Sequence, residues 1–239
     1  MTEIANQAVI AFCALLIVWY IVGWQMNRRR GERLLEWIIQ GLRAFGGQIT
    51  VSRLGTSGFQ MNVKKARAPF KGIETTILLE PREILLLWIF NRLRGRADHL
   101  VLKGALRAWP RGEVEVMKKR GRLAGRVLKG LDEGVWVRQE TAGGLVMACR
   151  GEKCHQQADA ISHLVEDLSP RLLRLSLSKK APHLLVNLSL AGIDEQSALL
   201  LLSSLQDLAQ IVARGVTTQA YPENAGTRKH GEHGSTEVP

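Results

Sequence analysis

Three observations predict an α+β chain carried on one N-terminal transmembrane helix. A charge-free apolar block runs from Ile4 to Met26. Further on, alternating apolar residues mark strands joined in pairs by short turns. Separate segments with a 3.6-residue apolar period fall between those pairs, which favours antiparallel hairpins with separate helices over βαβ units. The 239 residues are 46% apolar and 23% charged, a balance that excludes wholesale disorder and a collagen-like repeat. Three cysteines, Cys13, Cys149 and Cys154, are too few for a disulfide framework.

The first element is the membrane helix, assigned to residues 1–27. At a rise of ~1.5 Å per residue, Ile4 to Met26 covers about 34 Å, enough for the ~30 Å hydrocarbon layer. Nine Val, Ile, Leu or Phe residues between Ala8 and Trp24 favour insertion by about 4 kcal/mol. Trp19, Tyr20 and Trp24 lie toward its C-terminal end and are the expected membrane-interface anchors. A cleavable signal peptide fits less well, because the start is acidic at Glu3 and bulky Trp24-Gln25-Met26 follows the apolar run.

Charge gives the orientation. No Lys or Arg precedes the block, whereas Arg28, Arg29, Arg30 and Arg33 follow it. The positive-inside rule then predicts a single-pass protein of the cell (plasma or inner) membrane, N-terminus outside and C-terminal domain cytoplasmic. Residues 28–45 read as a juxtamembrane amphipathic helix, with Leu34, Leu35, Ile38, Leu42 and Phe45 on one face. This helix either continues the membrane helix or lies along the headgroups.

A basic β-rich subdomain is assigned to 46–130. Ile49 and Val51 alternate, Gly55-Thr56-Ser57-Gly58 turns, and Phe59, Met61 and Val63 alternate again. A third strand fits Ile73 to Leu79. Pro81 then suits the first turn of a helix carrying Ile84 to Phe90, a run apolar all round. Seven residues cannot span a bilayer, so the run reads as a buried core helix, the alternative being an interfacial helix with Arg92, Arg94 and Arg96 on lipid phosphate. His99 to Leu106 and Glu113 to Met117 follow as strands.

A second α+β subdomain is assigned to 131–216. It starts with a hairpin, Val135 to Arg138 and Leu145 to Cys149, and a helix from Lys153 to Leu168. Leu173, Leu175 and Leu177 then face Leu184, Val186, Leu188 and Leu190 across a second hairpin. Asp194 and Glu195 open a final helix whose stripe is Leu201, Leu205, Leu208 and Val212. Residues 217–239 read as a disordered tail. Segments 98–106 and 182–190 share a faint His-Leu-Leu pattern, the basis for a possible repeated strand-strand-helix unit.

Charge is the most informative functional feature. Residues 28–130 hold 23 basic and 8 acidic side chains, a net of +15, whereas 131–239 hold 10 and 13. The half next to the membrane is therefore positive, which suits an anionic lipid surface or an acidic protein partner. Candidate phosphate, lipid or nucleic-acid contacts are Arg28, Arg29, Arg30, Lys118, Lys119, Arg120, Arg122, Arg126 and Lys129. The stretch from Lys118 to Lys129 has no acid, but it also lacks the Phe and Tyr that would stack bases. The plain alternative is a solvated loop.

No catalytic, cofactor or metal site emerges. Gly121 to Gly130 does not end in Gly-Lys-Ser/Thr, and Cys149, Cys154 and His155 lack the spacing of haem attachment or a second Cys pair for zinc. The leading expectation is a membrane-anchored docking or assembly module. A membrane-tethered nucleic-acid binder is the alternative, followed by an enzyme whose site is assembled from distant residues.

Overall fold

The computed structural model describes residues 2–107, 110, 112–119, 136–141, 144–151 and 154–214. The fold is α+β: a long N-terminal apolar helix, a nine-stranded antiparallel sheet and three further helices among the described residues. Helix α1 runs unbroken from Thr2 to Leu42 and ends in a 3-10 turn, Arg43–Phe45. The apolar block and the amphipathic segment are thus one rod rather than two elements. The rod is long and apolar enough to cross a membrane.

Strands β1 (Gln48–Arg53), β2 (Gly58–Lys64) and β3 (Phe70–Leu78) form a meander, followed by helix α2 (Leu85–Leu93) and β4 (His99–Leu106). Then come β5 (Glu113–Lys118), β6 (Val137–Thr141) and β7 (Leu145–Arg150), helix α3 (Cys154–Leu168), β8 (Leu172–Leu177), β9 (Leu184–Ser189) and helix α4 (Glu195–Arg214). The spatial order is β1-β2-β3-β4-β9-β8-β5-β7-β6. The sheet does not divide at residue 130, because β5 sits between β8 and β7, and β4 pairs with β9. The two segments with the shared His-Leu-Leu pattern are neighbours at the centre, His99 opposite Ser189.

Register explains the core. One cross-strand row runs Val51, Met61, Thr75, Leu102, Val186, Leu175, Val116, Met147 and Gln139. Cross-strand partners share a face, so this row carries buried side chains from Met61 to Met147. Helices α1, α4 and α3 cover that face, α4 packing between the other two. The α1 stripe Leu34, Ile38, Leu42 and Phe45 is buried in the same core, as its spacing predicts. Asp194 caps α4, its Oδ1 accepting from the Ser197 N–H at 2.8 Å, which keeps its carboxyl below the ordinary range.

Three expectations are corrected. On β8 the register shifts between Leu172 and Arg174, so Leu172 rather than Leu173 points into the core with Leu175 and Leu177. A bulge of this kind displaces one side chain from strict alternation. Helix α2 begins at Leu85 rather than at Pro81, because Arg82 and Glu83 are held in a turn by contacts to α1. Finally, the Ile84–Phe90 run is not in the core. Leu86 is 76% exposed and Phe90 47%, and only Asn91 on α2 is buried. The helix is held against α1 through Trp19 and Trp88, N-terminal to the stretch of α1 that is buried in the core. The expected tail, 217–239, lies outside the described residues.

Candidate functional site

One face of α1 organises the contact between the rod and the sheet. Gly23, Asn27, Gly31, Leu34, Ile38 and Leu42 recur every three or four residues and are all buried. The two glycines let the helix approach closely: a Cβ on Gly23 would overlap the Arg82 carbonyl, and one on Gly31 would meet the Phe59 ring. Between them, Asn27 sits at the foot of the apolar block, where the chain leaves its uncharged stretch.

Around Asn27 a polar cluster ties α1 to the β3–α2 turn and to the start of β4. Asn27 Nδ2 donates to the Glu80 carbonyl at 2.8 Å and to Glu83 Oε2 at 2.7 Å. Its Oδ1 accepts from Arg82 Nη1 at 2.7 Å. Arg82 Nη2 grips both carboxylate oxygens of Asp98, at 3.1 and 2.9 Å, and Asp98 Oδ1 also accepts from the Glu80 N–H at 2.9 Å. Arg30 adds a second cation, with Nε 3.5 Å from Asp98 Oδ2 and Nη2 donating to the Leu190 carbonyl at 3.0 Å. Glu83 Oε1 accepts from Thr56 and Ser57 hydroxyls in the β1–β2 turn. Asn27, Glu80, Glu83 and Asp98 are all buried, so these partners are what makes their burial tolerable.

Glu80 is the strained member. Its Oε1 is buried without a partner. Burial, opposed by Arg82 and reinforced by Asp98, holds its carboxyl above the ordinary carboxylate range. Burial lowers the half-buried His99, against the opposing charge of Asp98, and the buried His183, whose Nδ1 accepts from the Leu106 N–H at 2.9 Å. On β5, in the other half of the sheet, Glu113 is drawn below its ordinary range: burial raises it, but the hydrogen bond and charge of Arg150 prevail.

The basic residues singled out by sequence separate into different roles. Arg30 is turned inward as part of the polar cluster. Arg28 and Arg29 face outward, Arg28 pairing with Glu32 at 2.9 Å and lying over the Trp24 ring. Lys118 Nζ donates to the Pro170 carbonyl at 3.2 Å and Lys119 Nζ pairs with Glu140 at 2.6 Å. Arg120, Arg122, Arg126 and Lys129 lie outside the described residues. Among the expected interface anchors, Tyr20 and Trp24 are exposed on the rod. Trp19 is not: its Nε1 donates to the Arg82 carbonyl at 3.0 Å and its ring packs on Trp88, 5.4 Å between centroids.

Sequence reasoning missed Asn27, Glu80, Arg82, Glu83 and Asp98. A partial signal was present, since Gly23, Asn27 and Gly31 continue the four-residue spacing of the buried stripe back into the apolar block. The acidic and basic partners come from segments more than fifty residues away, and no spacing reveals them. Among the described residues no group of three or more His, Cys, Asp or Glu side chains is arranged to hold a metal ion. The cluster's groups are nearly all spent on one another, which ties the rod to the sheet. No protein-family model and no curated protein matches the chain.

Proposed function

We propose that this chain is a single-pass protein of the cell (plasma or inner) membrane, N-terminus outside, that presents a basic cytoplasmic α+β domain as a docking or assembly module. The supporting observation is the continuity of α1, whose first half is exposed and apolar and whose second half is buried in the domain core. A domain that merely needs to stay near a membrane is served by a flexible linker. Here the joint around Asn27 and Asp98 fixes the angle and distance of the sheet relative to the rod. Such fixed geometry suits a module that must meet a protein partner, itself membrane-bound or cytoplasmic, in one orientation. The outward Arg28 and Arg29 favour the anionic inner surface and hold the orientation by the positive-inside rule.

Carbonate washing and a reporter fused after Pro239 test the anchoring and its direction. The chain should stay with the membrane and the reporter should be active only in the cytoplasm; release by carbonate, or an outside-only signal, refutes the reading. Purification from membranes in mild detergent tests the docking role. A partner at fixed stoichiometry supports it, whereas recovery of a lone copy after cross-linking in intact membranes counts against it. Tight nucleic-acid binding that falls steeply with salt would instead favour a tethered nucleic-acid binder.

A further inference from the structure

The position of α2 on the rod carries a consequence for the membrane itself. The segment leading into it climbs α1 toward the N-terminus: the Glu80 carbonyl is bonded to Asn27, the Arg82 carbonyl lies against Gly23 and Trp19, and Trp88 packs on Trp19. Trp19 precedes Asn27 by eight residues, about 12 Å along the helix axis. Trp88 is therefore level with the last two turns of the apolar block Ile4–Met26, beyond the arginines that follow it.

The outward side of α2 matches that level. Leu86, Ile89, Phe90 and Leu93 recur at helical spacing on one face and are exposed, Leu93 by 82%. At the same level of the rod, α1 leaves Tyr20, Ile21 and Trp24 exposed. At the C-terminal end of α2 come the exposed Arg92, Arg94 and Arg96, with the Arg94 guanidinium 3.7 Å from the centre of the Phe90 ring.

We propose that α2 is a second membrane element, seated in the headgroup–acyl boundary of the leaflet on the domain's side, with Arg92, Arg94 and Arg96 on anionic lipid phosphates. The occupant of its apolar face is lipid because the face stands at the level of the apolar block of α1, whose outer surface there is exposed and apolar. The proposal rests on α1 spanning the bilayer. An amphipathic helix with a basic flank gains from both acyl contact and phosphate attraction at this depth. Clamped to Trp19 on one side and to the sheet through Glu83 on the other, α2 sets how deep and at what tilt the rod sits.

Spin labels on full-length protein in phosphatidylcholine–phosphatidylglycerol vesicles test this. Leu86→Cys and Leu93→Cys are each made in a background without native cysteines. Native Cys13, exposed on the apolar block, is the bilayer reference, and Val51→Cys, exposed on the edge strand, is the water reference. The expected result is an oxygen-to-nickel accessibility ratio at 86 and 93 raised several-fold over that at 51, toward that at 13. It should fall when phosphatidylglycerol is omitted; a ratio indifferent to the anionic lipid overturns the phosphate assignment. Water-like values at 86 and 93 with a lipid-like value at 13 overturn the placement of α2 alone. A water-like value at 13 overturns the spanning reading as well. Labels at 86 and 93 shielded from both reagents mean that protein covers the face, and mutual dipolar broadening means a second copy; either result overturns the proposal.

Discussion

Replacing Asp98 with alanine is the sharpest test of the joint between the rod and the sheet. Three groups lose their acceptor. The Glu80 N–H is buried and is left unpaired, at about 1–3 kcal/mol. Arg82, 17% exposed, loses a two-point carboxylate grip and keeps only Asn27 Oδ1, which adds about 1–2 kcal/mol after allowance for its contact with water. Arg30 is at 3.5 Å and keeps the Leu190 carbonyl, so its share is small. The sum is about 3 kcal/mol, which for a domain of this size lowers Tm by about 6–12 °C. Intrinsic-fluorescence melting of the full chain in mild detergent measures it. Asp98→Asn keeps a neutral acceptor for the Glu80 N–H and should lose about half as much. The double variant with Arg82→Ala should lose less than the two single losses added, because each removes the same contact. A Tm for Asp98→Ala within about 2 °C of the parent would refute the reasoning.

Other outcomes follow from neighbouring contacts. Gly23→Val drives a side chain into the Arg82 carbonyl and should cost about 1–3 kcal/mol, seen as a lower Tm and a changed fluorescence of the Trp19–Trp88 pair; an unchanged Tm would contradict the close approach. Because burial raises the Glu80 carboxyl, the folded chain holds that proton more tightly than the unfolded one, so Glu80 erodes stability as pH rises through and above its ordinary value of 4.5. Glu80→Gln should therefore raise Tm at neutral pH and leave it nearly unchanged in acid; equal gains at both would contradict the assignment. His183 has the opposite sign: its lowered value means the unfolded chain binds the extra proton, so stability is lost as pH falls below the ordinary 6.5. Melting curves across that range should show the decline, and His183→Gln should reduce it, His99 supplying the remainder. Glu113, held low by Arg150, supplies stability that is full above 4.5 and fades in more acid solution, a loss that Glu113→Gln should remove.

Most elements were legible because their signals are local. The β4 strand falls at His99–Leu106 as its alternation predicts, and the predicted helix ending at Leu168 buries Ala158, Ile161, Val165 and Leu168 on one face, with Leu164 partly buried. Leu173 failed because a bulge depends on the partner strand, not on the strand's own alternation. The start of α2 failed for a similar reason: Pro81 is a sound local signal for a first turn, but Arg82 and Glu83 are claimed by Asn27, Asp98 and the β1–β2 turn. Arg30 belongs with its neighbours by charge and parts from them only by helical phase, which turns it toward Asp98 while Arg28 and Arg29 point away.

What the sequence determined by itself is the rod, the strands and the lopsided charge, since each is set by composition or period within about twenty residues. What only the tertiary structure decided is where those pieces meet. A run of Ile, Leu, Trp and Phe is equally content in a protein core and in a lipid boundary, because both remove it from water. Its neighbours exclude the core: Trp19 and Gly23 hold α2 against the apolar part of α1, with its outer face exposed. Likewise Asn27 and Asp98 are ordinary polar residues in the chain, and they become a joint only when β4 and α1 are brought together and water is excluded from between them.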